Sequence, residues 1–161
     1  MQNHKKSAFI AKSAVIAALY VLLTLLSSLF GLSGGAIQFR LSEALCVLPM
    51  FTPAAVPGLF IGCLLANILS GSVFWDVVFG SAATLLGALG AYALREKKPF
   101  VAALPTVFAN TVIVPPILSF AYGAEGSMLL FALTVFLGES VCAALFGTLL
   151  AGALRRFKVE F

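Results

Sequence analysis

Long apolar runs, separated by short polar or glycine-rich breaks, make up almost the whole chain. The first runs over about 9–30 and ends at Gly31-Leu-Ser-Gly-Gly35, and a shorter one, 41–51, stops at Thr52-Pro53. A third covers 54–69 up to Ser70-Gly-Ser72, and a fourth covers 76–94 up to Arg95-Glu-Lys-Lys-Pro99. The fifth spans 100–122, and beyond Gly123-Ala-Glu-Gly126 the sixth spans 128–154. A membrane helix takes about 20 residues, so the pattern predicts an all-α polytopic membrane protein, one integral domain over 1–161 with six helices. The second run is too short to cross alone unless it is tilted or shielded by protein.

Basic residues give the expected orientation. With six spans and a cytoplasmic N-terminus, Lys5, Lys6 and Lys12, then Arg95, Lys97 and Lys98, then Arg155, Arg156 and Lys158 all fall on the cytoplasmic side, and Arg40 alone of the ten does not. That is the bias of positive-inside membrane proteins, with both termini inside. A five-span arrangement would put the last three outside, against it. The first run also resembles a secretory signal, but it is too long for one and has no small-x-small site near Phe30, so it is expected to be retained.

Composition narrows the chemistry. Of 161 residues, 61% are hydrophobic and 10% charged, far from the soluble average of about 25% charged. The net charge of +4 is accounted for by topology, so no nucleic-acid partner is expected. The one histidine, His4, sits near the N-terminus, and Cys46, Cys63 and Cys142 are scattered without metal-ligand spacing. No zinc site, other metal site or disulfide framework is expected. No phosphate-binding G-x-x-x-x-G-K motif occurs, and none of the six lysines follows a glycine. The chain therefore needs no cofactor of its own, and any ATP that drives it is hydrolysed by another subunit.

Polar side chains inside apolar runs are costly and mark function by default. They are Gln38, Arg40, Glu43, Asn67, Asp76, Asn110 and Glu139, with Trp75 beside Asp76. Asn110 and Glu139 each lie about eleven residues, or about 17 Å, below the outer end of their runs, and the whole set gathers in the outer half. That is the shape of an outward-facing pocket. Each also has a structural alternative. Arg40 and Glu43, three apart, suit an internal ion pair, and Asp76 suits a helix cap. Asn67 suits a bond to a neighbouring helix, and Trp75 suits an interfacial anchor. Pro115-Pro116 frees the carbonyls of Thr111 and Val112 near Asn110. Glu139, a lone carboxyl in mid-run, has no such excuse.

Small residues recur at four-residue spacing in Gly58/Gly62/Ala66, Ala83/Gly87/Ala91 and Ala143/Gly147/Ala151. These flat faces suit close packing inside the bundle. Ala14 and Ala18 on the first helix suit either internal packing or a partner chain.

The stretch Ala36-Ile-Gln-Phe-Arg-Leu-Ser-Glu-Ala-Leu45, then Leu48-Pro-Met-Phe-Thr-Pro-Ala-Ala-Val-Pro-Gly-Leu-Phe-Ile-Gly62 and Ala66-Asn67, resembles the QueT family. The likeness covers essentially the whole chain. It implies a substrate-binding S-component of an energy-coupling factor (ECF) transporter, assigned to queuosine precursors, in the cytoplasmic membrane of a bacterium. Such proteins hold a solute in an outward pocket covered by the first loop and lined by the last three helices. They dock through small residues of the first helix, here Ala14 and Ala18, on a transmembrane coupling subunit driven by two cytoplasmic ATPases, and they topple to deliver the solute. A 7-deazaguanine offers adjacent N–H donors to a carboxylate, and a cationic aminomethyl substituent would seek a second one. Glu139, Glu43 and Asp76 are the candidates, Asn110 can read an amide edge, and Trp75 can stack. The alternatives are an S-component for another vitamin-like solute and a membrane assembly subunit without a ligand. An enzyme is not expected, since no nucleophile–base pair or metal set occurs.

Overall fold

The computed structural model describes residues 2–31 and 39–157. These are helical with short connections, and no strand occurs among them. Six helices follow in order: α1 Gln2–Leu29, α2 Leu41–Met50, α3 Ala55–Leu69, α4 Asp76–Ala93, α5 Pro99–Ala121 and α6 Met128–Arg156. All six apolar runs therefore become helices, five of them within two residues of their expected limits. The clearest departure is at the start. α1 begins at Gln2, so Lys5 and Lys6, expected in a tail before residue 9, extend the helix. Their unbranched side chains suit helical backbone.

The local signals explain the boundaries. Pro99 occupies the first turn of α5, where its missing N–H costs nothing. Ser127 caps α6 by accepting from the Leu130 N–H at 3.2 Å. Gly71 and Gly123 follow helix ends with φ of 71° and 61°, a left-handed backbone that glycine adopts without strain.

Four helices are long and apolar enough to cross a membrane, with 26, 18, 23 and 29 residues in the qualifying stretches of α1, α4, α5 and α6. The two between them, α2 and α3, have 10 and 15 residues. Leu22, Phe120 and Leu149 are among many large apolar side chains on the exterior. An outer surface so apolar suits hydrocarbon and would aggregate in water.

Inside, small residues set the spacing. Gly58 and Gly62 of α3 press on α1, where an added Cβ would lie 2.7 Å from the Ser13 carbonyl oxygen and 2.8 Å from the Tyr20 Cβ. A Cβ added at Gly87 of α4 would lie 2.8 Å from the Thr106 Cα of α5, and one at Gly147 of α6 would lie 3.4 Å from the Ala44 carbonyl oxygen of α2. All three small-residue stripes are thus buried packing faces. One core joins α1, α2, α3 and α4 around Tyr20, Leu59 and Cys63, and a second joins α5 to α6 through Val107 and Ala143.

Three stretches are wound as π-helix: Asp76–Gly80 opening α4, Ile117–Ala121 closing α5, and Ser140–Phe146 within α6. They begin beside Trp75, Pro115-Pro116 and Glu139 respectively. Each π turn replaces the usual i→i−4 bonds with a wider ring and re-aims the side chains around it.

A polar cavity between α2, α5 and α6

α2 is a 3-10 helix along its full length, with Pro49 inside it. At three residues per turn, positions three apart eclipse one another. Glu43 and Cys46 therefore stand in one line, which the 3.6-residue repeat of an α-helix would fan out, while Arg40 precedes the helix on extended backbone. Glu43 is 2% exposed, and both its oxygens are engaged. The Tyr20 hydroxyl donates to Oε1, and the Cys46 thiol donates to Oε2 at 3.1 Å. The expected Arg40–Glu43 ion pair is not the one that forms.

Arg40 turns instead to groups far along the chain. Its Nη2 meets Asp76 Oδ2 at 3.4 Å and its Nη1 donates to Asn67 Oδ1 at 3.3 Å. Asp76 Oδ2 also accepts from the Tyr122 hydroxyl at 3.0 Å, so the carboxylate joins the ends of α4 and α5 and does not cap its own helix. Asn67 donates to the Asp76 carbonyl at 3.2 Å, the interhelical role open to it. Gly80 gives this cluster its room, since a Cβ there would lie 2.6 Å from Asp76 Oδ1.

Arg40 and Glu43 line a cavity together with Asn110 and Val114 of α5 and Val135 and Glu139 of α6. Asn110 and Glu139, placed at equal depth by residue counting, do meet there. Asn110 Nδ2 and Glu139 Oε2 are buried, and neither has a hydrogen-bond partner among the described residues. One is a pure donor and the other an acceptor when ionised. Buried polar atoms normally find partners, so two unmatched ones on a single cavity invite a ligand with complementary edges. The cavity measures about 10 Å³, room for roughly one water. Small-molecule pockets run to about 300–1,000 Å³. As it stands, the cavity is too small to hold a small-molecule solute.

The remaining candidates lie elsewhere. Trp75 is 55% exposed and stacks on Phe79, with ring planes 16° apart, in a separate apolar groove of about 320 Å³ between α4 and α5. Ala14 and Ala18 are exposed, while Ser13, Ile16, Ala17 and Tyr20 take the inner face of α1. Internal packing is therefore not their role. Gln38 lies outside the described residues. No cluster of three potential metal ligands occurs among the described residues.

Tyr20 and Cys46 escaped the sequence reading because each counts as ordinary core. A signal was present in the hydroxyls along α1. Ser13 donates to the Ala54 carbonyl at 2.8 Å, Thr24 bonds Ser42 at 2.8 Å, and Ser27 accepts from the Leu41 N–H at 3.0 Å. With Tyr20 they form one stripe at spacings of seven, four and three, which ties α1 to the connection and helix beside it.

A family model described as QueT transporter matches residues 10–156. A protein of Lactococcus lactis subsp. cremoris named "Queuosine precursor transporter QueT" is 42% identical over 74 residues, which cover 45% of this chain and 43% of that protein. The matched stretch thus spans less than half the length of that relative. No solved structure matches. With a family match over nearly its entire length, the chain belongs to the QueT transporter family.

Proposed function

We propose that the protein is the solute-binding S-component of an ECF-type importer in the cytoplasmic membrane of a bacterium, capturing a queuosine precursor of the 7-deazaguanine type. The observation that carries the reading is the pair of unmatched atoms, Asn110 Nδ2 and Glu139 Oε2, on one buried cavity of a QueT-family chain. The pyrimidinone edge of a deazaguanine presents N–H donors and a carbonyl acceptor, the complement of a carboxylate beside an amide. Arg40, held by Asn67 and Asp76, closes the cavity from the outer loop.

In this reading all six helices lie in the membrane with both termini inside, α2 and α3 together making the second and third passes. Docking on a coupling subunit uses the exposed Ala14–Ala18 face of α1, and two cytoplasmic ATPases supply the energy that this chain lacks a phosphate loop to harvest. Titration calorimetry on the purified full chain tests the solute. Binding of a 7-deazaguanine is expected, and native mass spectrometry should find such a base co-purified. Absence of any deazaguanine binding by the folded protein overturns it.

A further inference from the structure

The cavity and its backing contain one base and three acids: Arg40 against Glu43, Asp76 and Glu139. Asp76 meets Arg40 through Oδ2, leaves its buried Oδ1 without a partner among the described residues, and does not line the cavity itself. Two carboxyls, Glu43 and Glu139, then face the cavity, and their surroundings differ. Glu139 has an oxygen without a partner, beside an amide that also lacks one. Glu43 has a donor on each oxygen, from a tyrosine that is fully buried and a cysteine that is fully buried. Two donors aimed at a carboxylate stabilise negative charge on it. The eclipsed geometry of α2 fixes the Cys46 donor three residues below the acid, and α1 supplies the other.

We infer that Tyr20 and Cys46 hold Glu43 as a fixed anion that selects solutes carrying a protonated amine, while Glu139 and Asn110 read the ring edge. This rests on the solute-binding role proposed above and divides it between two carboxyls. Tyr20 and Cys46 are positioning residues, since Glu43 stands between them and the cavity. Without its donors the carboxylate is no longer held in place toward the cavity, and the preference for a cation weakens with it.

Two probes that share a ring separate the roles: 7-aminomethyl-7-deazaguanine, whose amine is cationic near neutral pH, and the uncharged 7-cyano analogue. Calorimetry on the full chain is expected to show the amine binding at least about tenfold tighter, as suits a hydrogen bond between charged groups. Tyr20→Phe should shrink that ratio to about threefold or less by weakening the amine more than the nitrile, and Glu43→Gln should do the same. Should Tyr20→Phe fail to fold, Cys46→Ala removes the other donor and should shrink the ratio too. Equal weakening of both probes would mean that Tyr20 and Cys46 only pack, and a wild type indifferent to the amine would equally overturn the inference. A folded wild type that binds neither probe overturns the uptake reading, and the selectivity falls with it.

Discussion

Asn110 and Glu139 face one buried cavity from neighbouring helices, each with a hydrogen-bonding atom that the described protein leaves unmatched. They are 29 residues apart in sequence, from the difference of their numbers. What brings them together is the antiparallel hairpin of α5 and α6, with the connection at 122–127 placing both at the same depth.

Glu139→Gln keeps the shape of the side chain and removes its charge. Losing one partner of a buried charged contact costs roughly 3–5 kcal/mol, so deazaguanine affinity is expected to fall about a hundredfold or more. Calorimetry decides this, with circular dichroism to show that the variant is folded. A change within about threefold would make the carboxyl structural.

Arg40 and Asp76 give a different prediction, because they hold each other. Asp76→Asn leaves a partly buried guanidinium with only the Asn67 bond and the amide oxygen. A loss of about 3 kcal/mol in stability is expected, at the low end for buried pairs because Arg40 is 17% exposed in its side chain. Thermal unfolding in detergent measures it. Replacing both residues, Arg40→Met with Asp76→Leu, should recover most of the loss while solute binding stays impaired.

The sequence showed much of this fold, and its errors have identifiable causes. Apolar run lengths and breaks located all six helices because each break contains glycine, proline or charge. Asn110 and Glu139 were legible through depth counting, which needs only a rise per residue. The partner of Arg40 was not. Spacing alone favoured Glu43, whereas Asp76 is 36 positions away and comes within reach only once α3 and α4 have folded against each other. Trp75 sits beside Asp76 in sequence, yet it points into the groove between α4 and α5.

Ala14 and Ala18 offer a test that separates uptake from capture. Both are exposed, so a bulky replacement such as Ala14→Trp should leave folding and solute affinity intact. Cellular uptake is expected to drop at least about tenfold if this flat face is where a partner helix approaches. Parallel loss of binding and uptake would place the effect inside the protein instead.

Gly62 tests the packing of α3 on α1. A Cβ at this position would lie 2.8 Å from the Tyr20 Cβ and 3.0 Å from the Ala17 Cα, so backbone must shift to admit it. Gly62→Ala is expected to destabilise by about 1–3 kcal/mol, the range for overpacking. Gly152→Ala, where nothing lies within 4 Å, serves as the control and should not lower the unfolding temperature.

Orientation can be read with single cysteines, since the native Cys46, Cys63 and Cys142 are all buried. Glu125→Cys should react with a membrane-impermeant maleimide added outside, and Lys97→Cys should not. Labelling of Lys97→Cys from outside would reverse or break the six-pass arrangement.

The winding of α2 has a mechanical consequence. At about 2.0 Å per residue a 3-10 helix is longer than an α-helix of the same sequence, which rises about 1.5 Å. Its 10 residues therefore reach about 20 Å where α geometry would give about 15 Å. The segment is drawn out like an extended spring between Arg40 and the turn at Thr52-Pro53. Rewinding into α form would recoil it by about 5 Å, more than the separation that now joins Arg40 to Asp76. The same recoil would turn Cys46 off the line of Glu43, so one change of pitch would part Arg40 from Asp76 and release the thiol from the carboxylate in a single movement.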